Sequence, residues 1–294
     1  MQRLSEYVIN PFINKLVENY TSLYGKTNSS YPEIIHSIGT LALNTIAKSN
    51  AAYHDVHHTI MVADVGQDIL KGKHFLENNI SPFDWFHFII AALYHDIGYI
   101  RGLCDGDKDG EYIKNLMGDT VHLPSHSTDA ALAPYHIDRA KLYSRVALSK
   151  IKYIDHDYIS NLIERTRFPV PSNDKYRTSG DLPGLLRAAD LIGQVADINY
   201  TKKSDALFSE LEEIGSAKEL GYETGYDLKV KLPVFFKTNI SPYIKEALKY
   251  LNVTESGRKW IRNLIVNDLI ESPSTTKEIE SISFHTSLAQ KAHT

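Results

Sequence analysis

The sequence predicts an all-α protein. Apolar residues recur every three or four positions along most of the chain, the spacing that lines one face of a helix. Prolines fall where helices open, as in Ser81-Pro82, where a cap residue precedes proline at the first helical position. No convincing run alternates apolar and polar residues as a half-buried strand would, and no internal repeat is present.

The elements follow in order. Leu4 to Tyr24 reads as an amphipathic helix, and a second runs from Pro32 to about Ala47. A third spans about Val56 to Leu70, and a fourth opens at Pro82 and ends at Gly98. Arg101 to Ser127 is rich in Gly and Asp, which favour loops; it is equally a lid or a plain connector. Helices resume at about Thr128 to Leu132, Asp138 to Ser149, and Asp157 to Arg167, the last stopping before Pro169. A second loop begins at Pro171, and Leu182 to Tyr200 forms a strongly apolar helix. Lys203 to Leu269 reads as further helices, and from Glu271 the chain turns polar. The organisation expected is N-terminal helices over 1–50, a core over 51–200, a helical extension over 201–270 and a flexible tail over 271–294.

At 294 residues, the chain is long enough for a large core. A hydrophobic fraction of 43% argues against disorder, and a net charge of -4 gives no electrostatic reason to expect nucleic acid as a partner. The single cysteine, Cys104, excludes an internal disulfide and a cysteine-based zinc site. With no membrane span or signal-peptide run in view, a cytoplasmic protein without membrane association is expected. The sequence leaves homodimer formation open.

Histidines cluster between His54 and His95. Stepping back by four from Val62 on the core-facing stripe Val62, Val65, Ile69 gives His58, then His54, whereas His57 falls on another face. The apolar helix ending in Tyr94-His95-Asp96 delivers an imidazole and a carboxylate side by side. A cation would satisfy them if they are buried, and an exposed helix end would equally account for them. Asp190 sits alone in a second apolar helix, with Arg187 one turn earlier as a competing partner. Together His58, His95, Asp96 and Asp190 supply two nitrogen and two oxygen donors, a set that suits Mn, Fe, Mg, Zn or Ni without selecting one.

The order His … His-Asp … Asp resembles the HD superfamily of metal-dependent phosphohydrolases. Ala91-Ala92-Leu93-Tyr94-His95-Asp96-Ile97-Gly98 and Arg187-Ala188-Ala189-Asp190-Leu191 are typical of it, over about Tyr53 to Asp197. The resemblance implies an HD-domain helical bundle, here with additional C-terminal helices, that cleaves a phosphate ester with metal-activated water, Asp96 being both ligand and catalytic residue. Tyr53-His54-x-x-x-His58 with Ala63-Asp64-Val65 is similar to class I cyclic nucleotide phosphodiesterases, which implies His54 as general acid and His58 as ligand. Asp55 stands where that family has Asn, and Ile97-Gly98-Tyr99 where it has His-Pro-Gly. His126 resembles a position that holds a second metal, although a phosphate-binding or structural role fits it as well. The partner position for a second metal holds Thr166. Arg101, Arg165 and Arg167 are candidates to steady substrate phosphate, each weighed against a solvated surface role. The substrate expected is a small phosphate ester or a nucleotide. A nucleotidase or (p)ppGpp-type hydrolase is the enzymatic alternative, and a non-catalytic metal-stabilised sensor the other.

Overall fold

The computed structural model describes residues 4–25 and 27–271. A π-helical turn, Ser5–Ile9, leads into α1 (Asn10–Tyr24), which packs on α2 (Tyr31–Ile46) through Ile13, Leu16, Ile35 and Leu43. Both helices carry proline near their first turn, where the missing N–H costs nothing. The expected helices over 4–24 and 32–47 are therefore present to within a residue or so.

The centre of the bundle is α3 (Val56–Glu77), seven residues longer than its expected end at Leu70. It packs along α7 (Leu182–Val195) and also meets α4 (Pro82–Tyr94), α11 (Ser241–Leu251) and α12 (Glu255–Val266). One approach is backbone to backbone. A Cβ at Gly72 would collide with the Tyr250 carbonyl, so only glycine lets α11 lie this close. The buried Asp68 carboxylate accepts from Ser256 Oγ at 2.6 Å and Trp260 Nε1 at 2.8 Å, fastening α12 to the same helix.

Ser81 caps helix α4, as the Ser-Pro signal predicts, and also forms a capping box with Asp84. It ends at Tyr94, four residues before Gly98. His95 takes the C-cap position and the chain passes into a 3-10 turn, Ile97–Tyr99. Gly98 therefore does not stop the helix. A Cβ there would strike the His136 carbonyl and the Ala140 amide, so glycine serves the close approach of α5 (His136–Ala147).

The Gly- and Asp-rich stretch contains a short antiparallel hairpin, β1 (Glu111–Ile113) with β2 (Thr120–His122), register Tyr112 to Val121. Strands of three residues are too short to show alternation. Arg139 holds the base of this stretch. Its fully buried guanidinium bonds the Gly98, Ile100 and Ile113 carbonyls and both oxygens of Asp107. A 3-10 turn, Asp129–Tyr135, precedes α5 in place of the expected helix over 128–132.

Helix α6 (His156–Glu164) packs on α4 and α5. The chain then reaches α7, which stops at Val195 rather than Tyr200 because Asp197 caps the next turn, accepting from Asn199 N. Helices α8 (Tyr200–Glu213), α9 (Ser216–Glu219) and α10 (Gly225–Phe235) follow, and a π-helical turn, Phe236–Ile240, leads to α11. The result is an all-α helical bundle, as expected. Of the expected tail over 271–294, residues 272–294 lie outside the described residues. Among the described residues no helix is long and apolar enough to cross a membrane.

Candidate metal centre

Asp55 caps α3. Its Oδ1 accepts from His57 N at 2.9 Å and His58 N at 3.0 Å, fixing the first turn that points His58 inward. His58 joins the buried stripe with Val62, Val65 and Ile69, while His57 lies half exposed beside Lys203 and Asp197. The stripe argument therefore separates the neighbouring histidines correctly. His54 precedes the helix and stays with the site, its ring 5.4 Å from that of His58.

Three helix segments bring four donors together. His58 Nε2 lies 3.3 Å from Asp96 Oδ2 and 3.2 Å from Asp190 Oδ1. His95 Nε2 lies 3.2 Å from Asp96 Oδ2 and 3.7 Å from Asp190 Oδ1. Donors each ~2.0–2.2 Å from one ion, at angles between octahedral and tetrahedral, would sit roughly 3.0–3.5 Å apart. Most of these spacings fall in that range, and two overlapping groups of three, His58–His95–Asp190 and His54–His58–Asp96, are each close enough to hold a metal ion. His95 Nδ1 pairs with the Ala92 carbonyl at 2.8 Å, which leaves Nε2 as the lone-pair nitrogen. His95 Nε2 and Asp96 Oδ2 are both buried without a hydrogen-bond partner. Two orphaned donors aimed at one point are costly unless an ion satisfies them.

The Arg187 alternative for Asp190 does not hold. Arg187 donates to the Tyr176 carbonyl at 2.7 Å and the Thr178 carbonyl at 2.9 Å, and lies over the Tyr243 ring. The exposed-end alternative for His95-Asp96 fails as well, since both residues are buried.

The electrostatics are those of a cluster built around positive charge. Burial disfavours charge on His58, but the Asp190 and Asp96 carboxylates outweigh it and raise its pKa to about 9. Burial likewise opposes the charge on Asp190, and His58 and His95 pull its pKa down to about 2. Asp96 is held well below the carboxylate range, burial being overcome chiefly by His95 and His58.

Around the donors lies a second set of side chains. His54 Nδ1 is 2.5 Å from Glu210 Oε2, and the other Glu210 oxygen accepts from Tyr53 N and His54 N. Glu210 is buried on α8, and His54 holds its carboxyl below the usual range against the opposing effect of burial. Tyr99 is stacked between His54 and His136, each ring centroid 4.6 Å away. His136 Nε2 lies 3.7 Å from Asp96 Oδ1, the carboxylate oxygen facing away from His58 and His95. The His95 side chain is fully enclosed, whereas those of Asp190, His54 and His136 are 18%, 19% and 14% exposed, so the site opens along these three.

The remaining candidates fall elsewhere. His126 is exposed, with no partner among the described residues. The histidine that approaches the centre is His136, ten positions on. Arg101 Nε donates to Asp129 Oδ1 at 2.9 Å. Arg165 is buried and paired with Thr178 and Asp181. Thr166 Oγ1 donates to the Ile163 carbonyl. Arg167 bridges Glu164 and Asp138. Thr166 and Arg167 thus serve local partners, and Arg165 does so through one amino group while its other, Nη1, is buried without a hydrogen-bond partner.

Glu210 and His136 are the residues that motif reading missed, Glu210 in a stretch read as showing no chemistry. Both were open to the stripe test that placed His58. Glu210 shares a buried face with Ser204 and Leu207, and His136 shares one with Arg139 and Ala140.

A family model described as Npun_R2479-like matches residues 2–271. Neither the curated proteins nor the solved structures contain a match to the chain.

Proposed function

The chain belongs to the Npun_R2479-like family, and we propose that it is a metal-dependent phosphohydrolase of the HD type, cleaving a phosphate ester with metal-activated water. The observation that carries this reading is the pair of overlapping donor groups, His58–His95–Asp190 and His54–His58–Asp96, drawn from three helix segments and the stretch before α3, with two buried donors among them that lack a hydrogen-bond partner. A divalent cation in such a donor set polarises a phosphoryl oxygen and lowers the pKa of a bound water toward ~7.

The other residues have roles that suit such chemistry. His54 stands at the open side of the site. With Nδ1 on Glu210, it presents Nε2 as the nitrogen that can hand a proton to a leaving alkoxide. Glu210 fixes the ring. Tyr99 holds the His54 and His136 planes by stacking, and His136 faces the second oxygen of Asp96. A small phosphate ester or nucleotide is the substrate class in keeping with this set.

Metal content of the purified protein, measured together with turnover on a panel of phosphomonoesters and phosphodiesters, tests the reading. Bound metal with hydrolysis of at least one class, abolished in Asp96→Ala, is expected. Full activity in Asp96→Ala would sink the mechanism. Bound metal with no turnover on any ester would favour a metal-stabilised binding module.

A further inference from the structure

A separate cavity of about 470 Å³ lies beside the segments that leave the metal centre, and none of the metal donors lines it. Its walls include Lys48, which follows α2, Arg101, which follows the Ile97–Tyr99 turn, and Lys108 and Tyr112 from the hairpin stretch. Two acids, Asp107 and Asp129, also line it. Both are already engaged. Asp107 is enclosed, with its oxygens 3.0 and 2.8 Å from the two Arg139 amino groups. Asp129 accepts from Arg101 Nε through Oδ1 and from Asn50 N through Oδ2.

The cations are less fully engaged. Arg101 spends only its Nε and backbone amide on Asp129, so its terminal amino groups have no partner among the described residues. The Lys48 and Lys108 ammonium groups likewise have no hydrogen-bond or ion-pair partner among them. The cavity thus presents two unpaired lysine charges and the unshared terminal N–H groups of Arg101, whose own charge is balanced by Asp129, while Asp107 is balanced by Arg139. The volume falls within the range of small-molecule sites and leaves room for more than an inorganic ion. Tyr112 gives the organic part of a ligand a flat wall.

We propose that this cavity is a second ligand site, which takes the phosphoryl group of a small phosphate ester on Lys48, Lys108 and the free end of Arg101. A phosphoryl group suits these donors better than a single carboxylate. It carries close to two charges and three acceptor oxygens, enough to engage all three side chains. The site does not depend on hydrolysis at the metal centre and stands or falls apart from it.

The experiment is calorimetric titration of the full chain with inorganic pyrophosphate, repeated with citrate. Three proteins are compared: wild type, a Lys48→Gln/Lys108→Gln double variant, and Asp190→Asn. Lys48 and Lys108 are exposed, so the double variant is expected to fold and keep its metal, as circular dichroism and metal analysis will show. A binding event that weakens at least ten-fold in the double variant, weakens with added salt and persists in metal-depleted Asp190→Asn supports the site. Unchanged affinity in the double variant, loss of the event with the metal in Asp190→Asn, or no binding to wild type overturns it. Citrate binding as tightly as pyrophosphate overturns the phosphoryl assignment.

Discussion

His54 and Glu210, 156 positions apart, form one hydrogen-bonded pair in which the carboxylate grips both the imidazole and the backbone of its partner. The pair joins the segment before α3 to α8, so the extension beyond Tyr200 supplies part of the site. The proposed acid is oriented by a group that no local motif contains.

Glu210→Gln keeps a hydrogen bond to His54 but removes the carboxylate charge beside the imidazole. Hydrolysis of esters with poor leaving groups should slow by about ten-fold, against little change for p-nitrophenyl esters. His54→Ala should give a larger loss, in the 10²–10⁴ range of general-acid catalysis. Equal losses on both ester classes would remove the acid role from His54.

Removing a metal donor should abolish the stabilisation that the ion provides. In wild type, adding metal to ~100 times its dissociation constant raises stability by about 2.7 kcal/mol. Thermal melts with and without chelator should show this shift in wild type and none in Asp190→Asn. A full shift in Asp190→Asn would place the ion elsewhere.

Gly98→Ala puts a methyl group against the His136 carbonyl and the Ala140 amide, both backbone atoms of α5. They cannot move without carrying His136 away from Asp96. A destabilisation of at least ~2 kcal/mol, near the upper part of the overpacking range, is expected in denaturant unfolding, together with lost activity. A neutral result would mean that the contact between α5 and the Ile97–Tyr99 turn yields more easily than its backbone packing implies.

Acid should weaken the fold partly through Glu164. Burial alone would raise its pKa, but Arg167, Lys141 and Tyr176 outweigh it and lower the pKa from 4.5 to about 2. A pKa depressed on folding gives stability that is fully present above the unfolded value. It is lost as pH falls from about 4.5 toward about 2. Unfolding free energies measured between neutral pH and pH 3 should fall less steeply in Glu164→Gln than in wild type. Parallel curves would show that this carboxylate does not drive the loss.

The helical class and the four candidate donors were legible because each is written locally. Apolar spacing gives the helices, and a lone acid or imidazole on an apolar stripe marks itself. Asp190 and His58 belong to this kind. The hairpin was hidden because three residues a side carry no readable period, and its position is set by Arg139 rather than by its own residues. Gly98 looked like a helix stop because its environment, the backbone of α5, lies some forty positions away. Glu210 and His136 were within reach of the same stripe test, applied to helices that carried no motif. His126 drew attention by motif position alone, which says nothing of burial.

The attachments of α3 to α11 and α12 bear on when the protein matures during synthesis. All four proposed metal donors have been translated once Asp190 is made. The helix that carries His58 still lacks the partners of Gly72 and Asp68 until Tyr250 and Trp260 emerge. That is about 70 residues more, or roughly 4–14 s at 5–20 residues per second. In this interval the proposed donor set has been translated while the helix that carries His58 still lacks the partners of Gly72 and Asp68.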